Sequence, residues 1–117
     1  MRDDTDNLIV TKSFNFSLKI IEFAEKIFST KKFSLANQVF RSGTSIGANI
    51  REAQNAESKD DFIHKMKIAC KEADELEYWL LLCSQSEYLP NPDEALLTEL
   101  KSIIKILSKI VSTSKKS

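Results

Sequence analysis

The sequence predicts an all-α fold, an up-down-up-down antiparallel four-helix bundle. Two observations carry that expectation. Phe62, Met66, Ala69, Ala73, Leu76, Leu80 and Cys83 alternate at spacings of four and three without a break, which is the seam of a helix packed in a bundle. The 117 residues include only two glycines and two prolines, too little turn punctuation for a sandwich or barrel. A hydrophobic content of 42% against 29% charged residues suits a globular chain and not a disordered one. At this length one domain, residues 1–117, is expected.

The first helix is expected over about residues 8–29. It carries one apolar stripe of Val10, Phe14, Ile21, Ala24 and Phe28, and a second of Ile9, Phe16, Ile20, Phe23 and Ile27. One core seam needs only one stripe. Either the helix is deeply buried, or it faces a core on one side and a neighbouring subunit on the other. On the second reading Phe16, Ile20, Phe23 and Ile27 are candidate interface residues. Lys12, Lys19 and Lys26 recur every seven residues and share one face.

After the polar break at residues 29–32, the second helix is expected over about 34–56, with Leu35, Val39, Ile46, Ile50 and Ala53 as its core stripe. A polar row of Gln38, Ser42, Ser45, Asn49 and Glu52 runs beside it, and Gly43 and Gly47 sit nearby. A mid-helix glycine costs about 1 kcal/mol relative to alanine. Both glycines therefore mark close packing against another helix. Ser42, Ser45 and Asn49 are expected to hydrogen-bond across that contact. Arg41 is expected to be held by Glu72 or Glu75, in one polar network with Ser42, Ser45, Asn49 and Glu52; if that pair is buried, losing Arg41 alone strands a charge.

The third helix, about 58–84, opens on Ser58 with Asp61, a capping-box pattern that uses the shorter acid. His64, the one histidine, lies among polar residues opposite the seam. Tyr78 and Leu82 fall outside the seam and join the candidate interface. The stretch Asn91-Pro92-Asp93-Glu94 reads as a helix start, with an N-cap and a proline in the first turn. The fourth helix is expected over about 91–113. Lys101, Lys105 and Lys109 form a basic row on it, and the tail from Ser114 to Ser117 is expected to fray.

Chemistry-bearing motifs are missing from the sequence. It has no glycine-rich phosphate loop, no metal-ligand spacing and no cysteine-histidine pair in a recognisable arrangement. One histidine, with no glutamate three residues before it, cannot build the di-iron site of helix bundles. No catalytic residue, metal or cofactor is expected. Cys70 and Cys83 read as small core or boundary residues, since two thiols make no disulfide framework. Uncharged runs such as residues 78–86 reach nine residues, against about 18 for a membrane span. The polar, acidic start, Met1 to Asp6, does not read as a secretory signal. A cytoplasmic protein with no membrane partner is expected.

The run Phe40-Arg41-Ser42-Gly43-Thr44-Ser45-Ile46-Gly47-Ala48-Asn49-Ile50 carries a resemblance to a known family. So do Ser58-Lys59-Asp60-Asp61-Phe62, Lys71-Glu72-Ala73 and Glu77-Tyr78-Trp79-Leu80. Together they resemble the four-helix-bundle proteins encoded by intervening sequences within bacterial 23S ribosomal RNA genes. The resemblance spans nearly the whole chain. It implies a bundle that assembles as a ring-like homopentamer. It also implies a relation to the accessory variability protein of diversity-generating retroelements, a pentamer that binds nucleic acid and a reverse transcriptase.

Two functions are in view. The first is an interaction scaffold, a homo-oligomeric ring that docks another protein; the two stripes of the first helix, with Tyr78 and Leu82, point that way. The second is RNA or DNA binding. Seventeen lysines and arginines against seventeen acids leave no net charge, so such binding needs a local patch. In a sequential bundle the first and fourth helices are neighbours. Lys12, Lys19, Lys26, Lys101, Lys105 and Lys109 are then expected to form one basic strip, repeated around the ring.

Overall fold

The computed structural model describes residues 7–116. Among them are four α-helices and no strand: α1 (Leu8–Ser29), α2 (Phe33–Ala53), α3 (Lys59–Gln85) and α4 (Glu94–Lys116). Short connections turn each helix back along the one before it. α1 and α3 each pack on both α2 and α4, giving a rod of 46 × 22 × 22 Å. The fold class is the one the sequence predicts. None of these helices is long and apolar enough to cross a membrane. The acidic start, Met1 to Asp6, and the final Ser117 lie outside the described residues.

Local chemistry sets the helix ends. The Asn7 side chain accepts from the Ile9 amide at 3.2 Å and donates to Gln54 Oε1 at 3.0 Å, which ties the start of α1 to the end of α2. At α3, Ser58 Oγ accepts from the Asp61 amide at 3.0 Å. The short Asp61 carboxylate reaches back to the Glu57 amide at 3.1 Å, so the box closes one residue outside the usual position. α2 ends earlier than expected because the amides of Gln54, Asn55 and Ala56 bond carbonyls only three residues back, a tightened last turn. α4 starts later than expected. Asp93, not Asn91, caps it, accepting from the Leu96 amide at 2.8 Å, and the preceding Pro92 is buried. α4 then continues to Lys116, through the stretch expected to fray.

The α3 seam lies on the axis of the bundle. Met66, Ala69, Ala73, Leu76, Leu80 and Cys83 are fully buried, and Phe62 packs against them from the helix start. α2 contributes Val39, Ile46 and Ile50, and α4 contributes Leu100, Ile103 and Leu107. From α1 come Phe16, Ile20 and Ile27, none with accessible surface, and the nearly buried Phe23.

That last set corrects the sequence reading. Phe16, Ile20, Phe23 and Ile27 are core, not a subunit interface. Their 4-3-4 spacing keeps them on the bundle axis, as in α3. The other stripe is the one that reaches water: Phe14 and Phe28 are exposed, while Val10 and Ala24 at its inner edge are buried.

Gly43 explains how closely α2 lies on α1. A methyl group built at Gly43 would run into the Ile20 side chain, with Ile20 Cβ 3.0 Å away. Gly47 is looser and half-buried; a methyl there would sit 3.2 Å from Ser17 Oγ and 3.5 Å from the Ser13 carbonyl oxygen. Both glycines are mid-helix, but only Gly43 is held against a branched core side chain. Gly43→Ala should therefore lower stability by about 1–3 kcal/mol through overpacking. In Gly47→Ala the helix-propensity gain of about 1 kcal/mol should offset the tighter contact with the movable Ser17 hydroxyl. Thermal unfolding followed by circular dichroism compares the two; equal melting temperatures for both variants would remove Gly43 as the point of closest approach.

Candidate functional site

The four sides of the rod differ in chemistry. Along the α1–α2 side runs an apolar face. Phe14 at 59% exposure, Leu18, Phe28, Phe33 and Phe40 all stand partly in solvent. Phe28 and Phe33 bracket the turn between the helices, their rings 4.8 Å apart. At the other end of this face a cleft of about 250 Å³ is lined by Val10, Ser13, Phe14, Ser17, Gly47 and Arg51, among others. The face is built by two heptad-spaced rows, Phe14-Ile21-Phe28 on α1 and Phe33-Phe40-Gly47 on α2. Sequence reasoning did not single out Phe33 and Phe40, although their seven-residue spacing was the available signal. On α3, Tyr78 at 57% and Leu82 at 40% are exposed, together with Leu81, and the Tyr78 ring meets Trp79 edge-on at 5.3 Å.

The α2–α3 side is held by ion pairs. Arg41 Nη1 donates to Glu72 Oε1 at 2.9 Å, and Arg41 Nη2 donates to Glu75. The Arg41 guanidinium also donates to Gln38 Oε1. Trp79 Nε1 donates to Glu75 Oε2 at 3.2 Å. In the last turn of α2, Glu52 Oε1 accepts from Lys65 Nζ at 3.0 Å. Arg41 thus takes both expected carboxylates, but its side chain is 46% exposed. The pair is therefore a surface clamp between helices and not a buried one.

The short members of the α2 polar row, Ser42, Ser45 and Asn49, turn back on their own helix. Ser42 Oγ donates to the Gln38 carbonyl at 2.7 Å, and Ser45 Oγ donates to the Arg41 carbonyl. Asn49 Nδ2 donates to the Ser45 carbonyl at 2.9 Å. Each satisfies itself four residues back on its own helix, a bond always within reach of a short polar side chain. The longer side chains of Arg41 and Glu52 do connect α2 to α3. Every buried side-chain nitrogen or oxygen among the described residues has a partner.

The lysine rows do not merge into one strip. Lys12 pairs with Glu99 of α4 at 3.3 Å. Lys19 and Lys26 line an α1–α4 cleft that also holds Glu22 and Asp93. Lys101 lines a separate cleft with Glu77, Leu81 and Glu94, between α3 and α4. Lys105 and Lys109 are exposed. Carboxylates therefore interrupt the strip on the α1 side, while the α4 row stands in solvent. Among the described residues no group of three or more histidine, cysteine, aspartate or glutamate side chains is placed to hold a metal. His64 is exposed. Cys83 is buried and Cys70 half-buried, both as free thiols; burial pushes the Cys83 thiol up to about 11.

An exposed ion pair contributes about 1 kcal/mol or less, so Arg41→Ala should cost about that much, and less in high salt. The Arg41 guanidinium, and after it the Trp79 indole, holds the Glu75 carboxyl below its ordinary value of 4.5, against the opposing effect of burial. A carboxylate depressed in the folded state stabilises above its unfolded value and loses that contribution as pH falls through the folded one. The stability gap between the wild type and Glu75→Gln should therefore hold above about pH 4.5 and shrink below it. Urea titrations across that range measure it; a gap that widens in acid would contradict the assignment.

No curated protein matches the chain. Among solved structures, the chain resembles a crystallised protein of unknown function from the S23 ribosomal protein family of Bacteroides thetaiotaomicron VPI-5482. The two share 42% sequence identity with a TM-score of 0.84, over 89% of this chain and 98% of that one. Neither that description nor the family's indicates an enzyme. The family model for 23S rRNA-intervening sequence proteins matches residues 5–109, most of the chain, and the chain belongs to that family.

Proposed function

We propose that this chain is a non-catalytic scaffold that assembles with copies of itself into a closed ring through the α1–α2 phenylalanine face, in the bacterial cytoplasm. The observation that carries the reading is the face itself: Phe14, Leu18, Phe28, Phe33 and Phe40 exposed along one side of the rod. A contiguous apolar side of this kind marks an association surface. A ring needs two different faces to meet. Tyr78 and Leu82 on α3 supply a second exposed apolar surface. Five protomers is the number implied by the resemblance to the intervening-sequence family. Two free thiols suit a reducing compartment. The ring's outward partner is another protein.

Light scattering tests the assembly. The expected mass is five times the 13.3 kDa of the chain. A mass near one chain would reject association, and a dimer would reject the ring. Phe14→Asp with Phe40→Asp should give a monomer with unchanged helicity, because both positions are exposed.

RNA or DNA binding is the second reading, favoured by the exposure of Lys101, Lys105 and Lys109 on α4. Changing all three to glutamine should then weaken oligonucleotide binding and lower its salt dependence by about one unit of slope for each phosphate no longer neutralised. Fluorescence anisotropy reads both; unchanged affinity and slope would reject the row as the binding surface.

A further inference from the structure

A cleft of about 510 Å³ opens between α3 and the last turns of α4. Lys67, Cys70, Ser108, Ser112, Lys115 and Lys116 line it, and among the described residues no carboxylate does. None of these residues was singled out for binding by the sequence, and neither the assembly nor the lysine row of α4 uses them. Three ammonium groups from two helices meet here with two hydroxyls.

The local sequence places no acidic side chain one helical turn from those charges. Three or four residues on either side of Lys67 stand Ile63, His64, Cys70 and Lys71; on the N-terminal side of Lys115 and Lys116 stand Val111, Ser112 and Thr113. No acid is therefore placed to form an intrahelical pair with them. Arg41, Lys65 and Lys12, by contrast, each meet an acid of a neighbouring helix. Asp74, one turn further along α3, acts on the Cys70 thiol, which burial and that charge together push up. Lys67 lies close enough to Lys115 to hold its ammonium below the ordinary lysine value. Like charges brought together in this way favour any anion that enters between them. Lys115 and Lys116 also complement the C-terminal carbonyls of α4, but Lys67 comes from a different helix and has no such role.

We propose that this cleft is an anion site for a phosphoryl group, with Lys67 and Lys115 as the opposed charges and the Ser108 and Ser112 hydroxyls as donors. Ammonium groups act as point charges toward phosphate, and two of them match a dianion. The cleft is larger than one phosphate needs, so it also accommodates a phosphodiester segment. Free phosphate and the backbone of a nucleic acid strand are the two sources of that chemistry.

Cys70 supplies the readout. It lines the cleft, whereas Cys83 is fully buried. The protein as it assembles in solution is treated with neutral N-ethylmaleimide at constant ionic strength, and Cys70 modification is followed by mass spectrometry. Inorganic phosphate, a single-stranded oligonucleotide, or a morpholino oligomer with an uncharged backbone is added. Phosphate or the oligonucleotide should slow modification by about ten-fold at saturation. Slowing by phosphate identifies a small dianion as sufficient; slowing by the oligonucleotide alone identifies the strand backbone. No slowing by either, or equal slowing by the morpholino, overturns the proposal. Lys67→Gln with Lys115→Gln should abolish protection, and the glutamine triple variant at 101, 105 and 109 should keep it. The reverse pattern also overturns the site. Both lysines of the double variant are exposed, and circular dichroism checks that it remains helical. The oligomeric mass is read separately, so failure of the ring and failure of the anion site are told apart.

Discussion

The contact between Gly43 and Ile20 sets how the rest of the rod is arranged. With no side chain at position 43, α2 lies directly on a branched core residue of α1. That approach brings the outer flanks of the two helices level. The heptad rows of Phe14, Ile21 and Phe28, and of Phe33 and Phe40, then lie side by side instead of on separate ridges. The same approach packs Ile46 and Ile50 of α2 into the core with Phe16 and Ile27. A core contact thus shapes a surface. Glycine's cost in helix propensity, about 1 kcal/mol, is offset by the burial its absence of a side chain permits.

Much of the fold was legible because helix packing writes itself as spacing. The seam of α3 has one answer: seven small and apolar residues at four and three cannot face anywhere but a core. α1 was less legible, and its physics says why. Both of its stripes avoid water, and hydrophobicity does not say whether another part of the same chain or another molecule excludes that water. Phe16 and Phe14 are the same residue type on the same helix, yet one is fully buried and the other mostly exposed. The distinguishing signal was the regularity of the spacing: Ile20 and Phe23 complete a 4-3-4 run with Phe16 and Ile27, whereas the stripe of Phe14 is interrupted by a polar residue at Ser17.

Charge was legible pairwise and not in register. Arg41, Glu72 and Glu75 meet because two adjacent antiparallel helices leave little choice of partner. Whether the lysines of α1 and α4 make a strip depends on which carboxylates fall between them, and that is set by the axial offset of two helices far apart in sequence. Lys12 meets Glu99, and Asp93 lies with Lys19 and Lys26; neither pairing has a local sequence signature. Ser42, Ser45 and Asn49 show the same limit from the other side. The choice between a bond to a neighbouring helix and a bond to the preceding turn is decided by side-chain length, and the short ones turn back on their own helix.

Net charge of zero therefore conceals a division of labour around the rod. On the α2–α3 side, opposite charges face each other and are consumed in holding the helices together. Along α1–α2, charge is sparse and aromatic surface takes its place. Near the end of the rod that carries the α2–α3 connection, Lys67, Lys115 and Lys116 collect with no acidic side chain of the described residues lining their cleft. These are three separable uses of surface: one internal, one suited to other copies of the chain, one suited to anions. In a closed ring every protomer would present that cationic end to the same rim, because a cyclic arrangement repeats each feature at one height. A weak anion contact on one protomer then becomes a circle of them, and a polyphosphate strand long enough to span two gains by effective concentration what a single phosphate cannot.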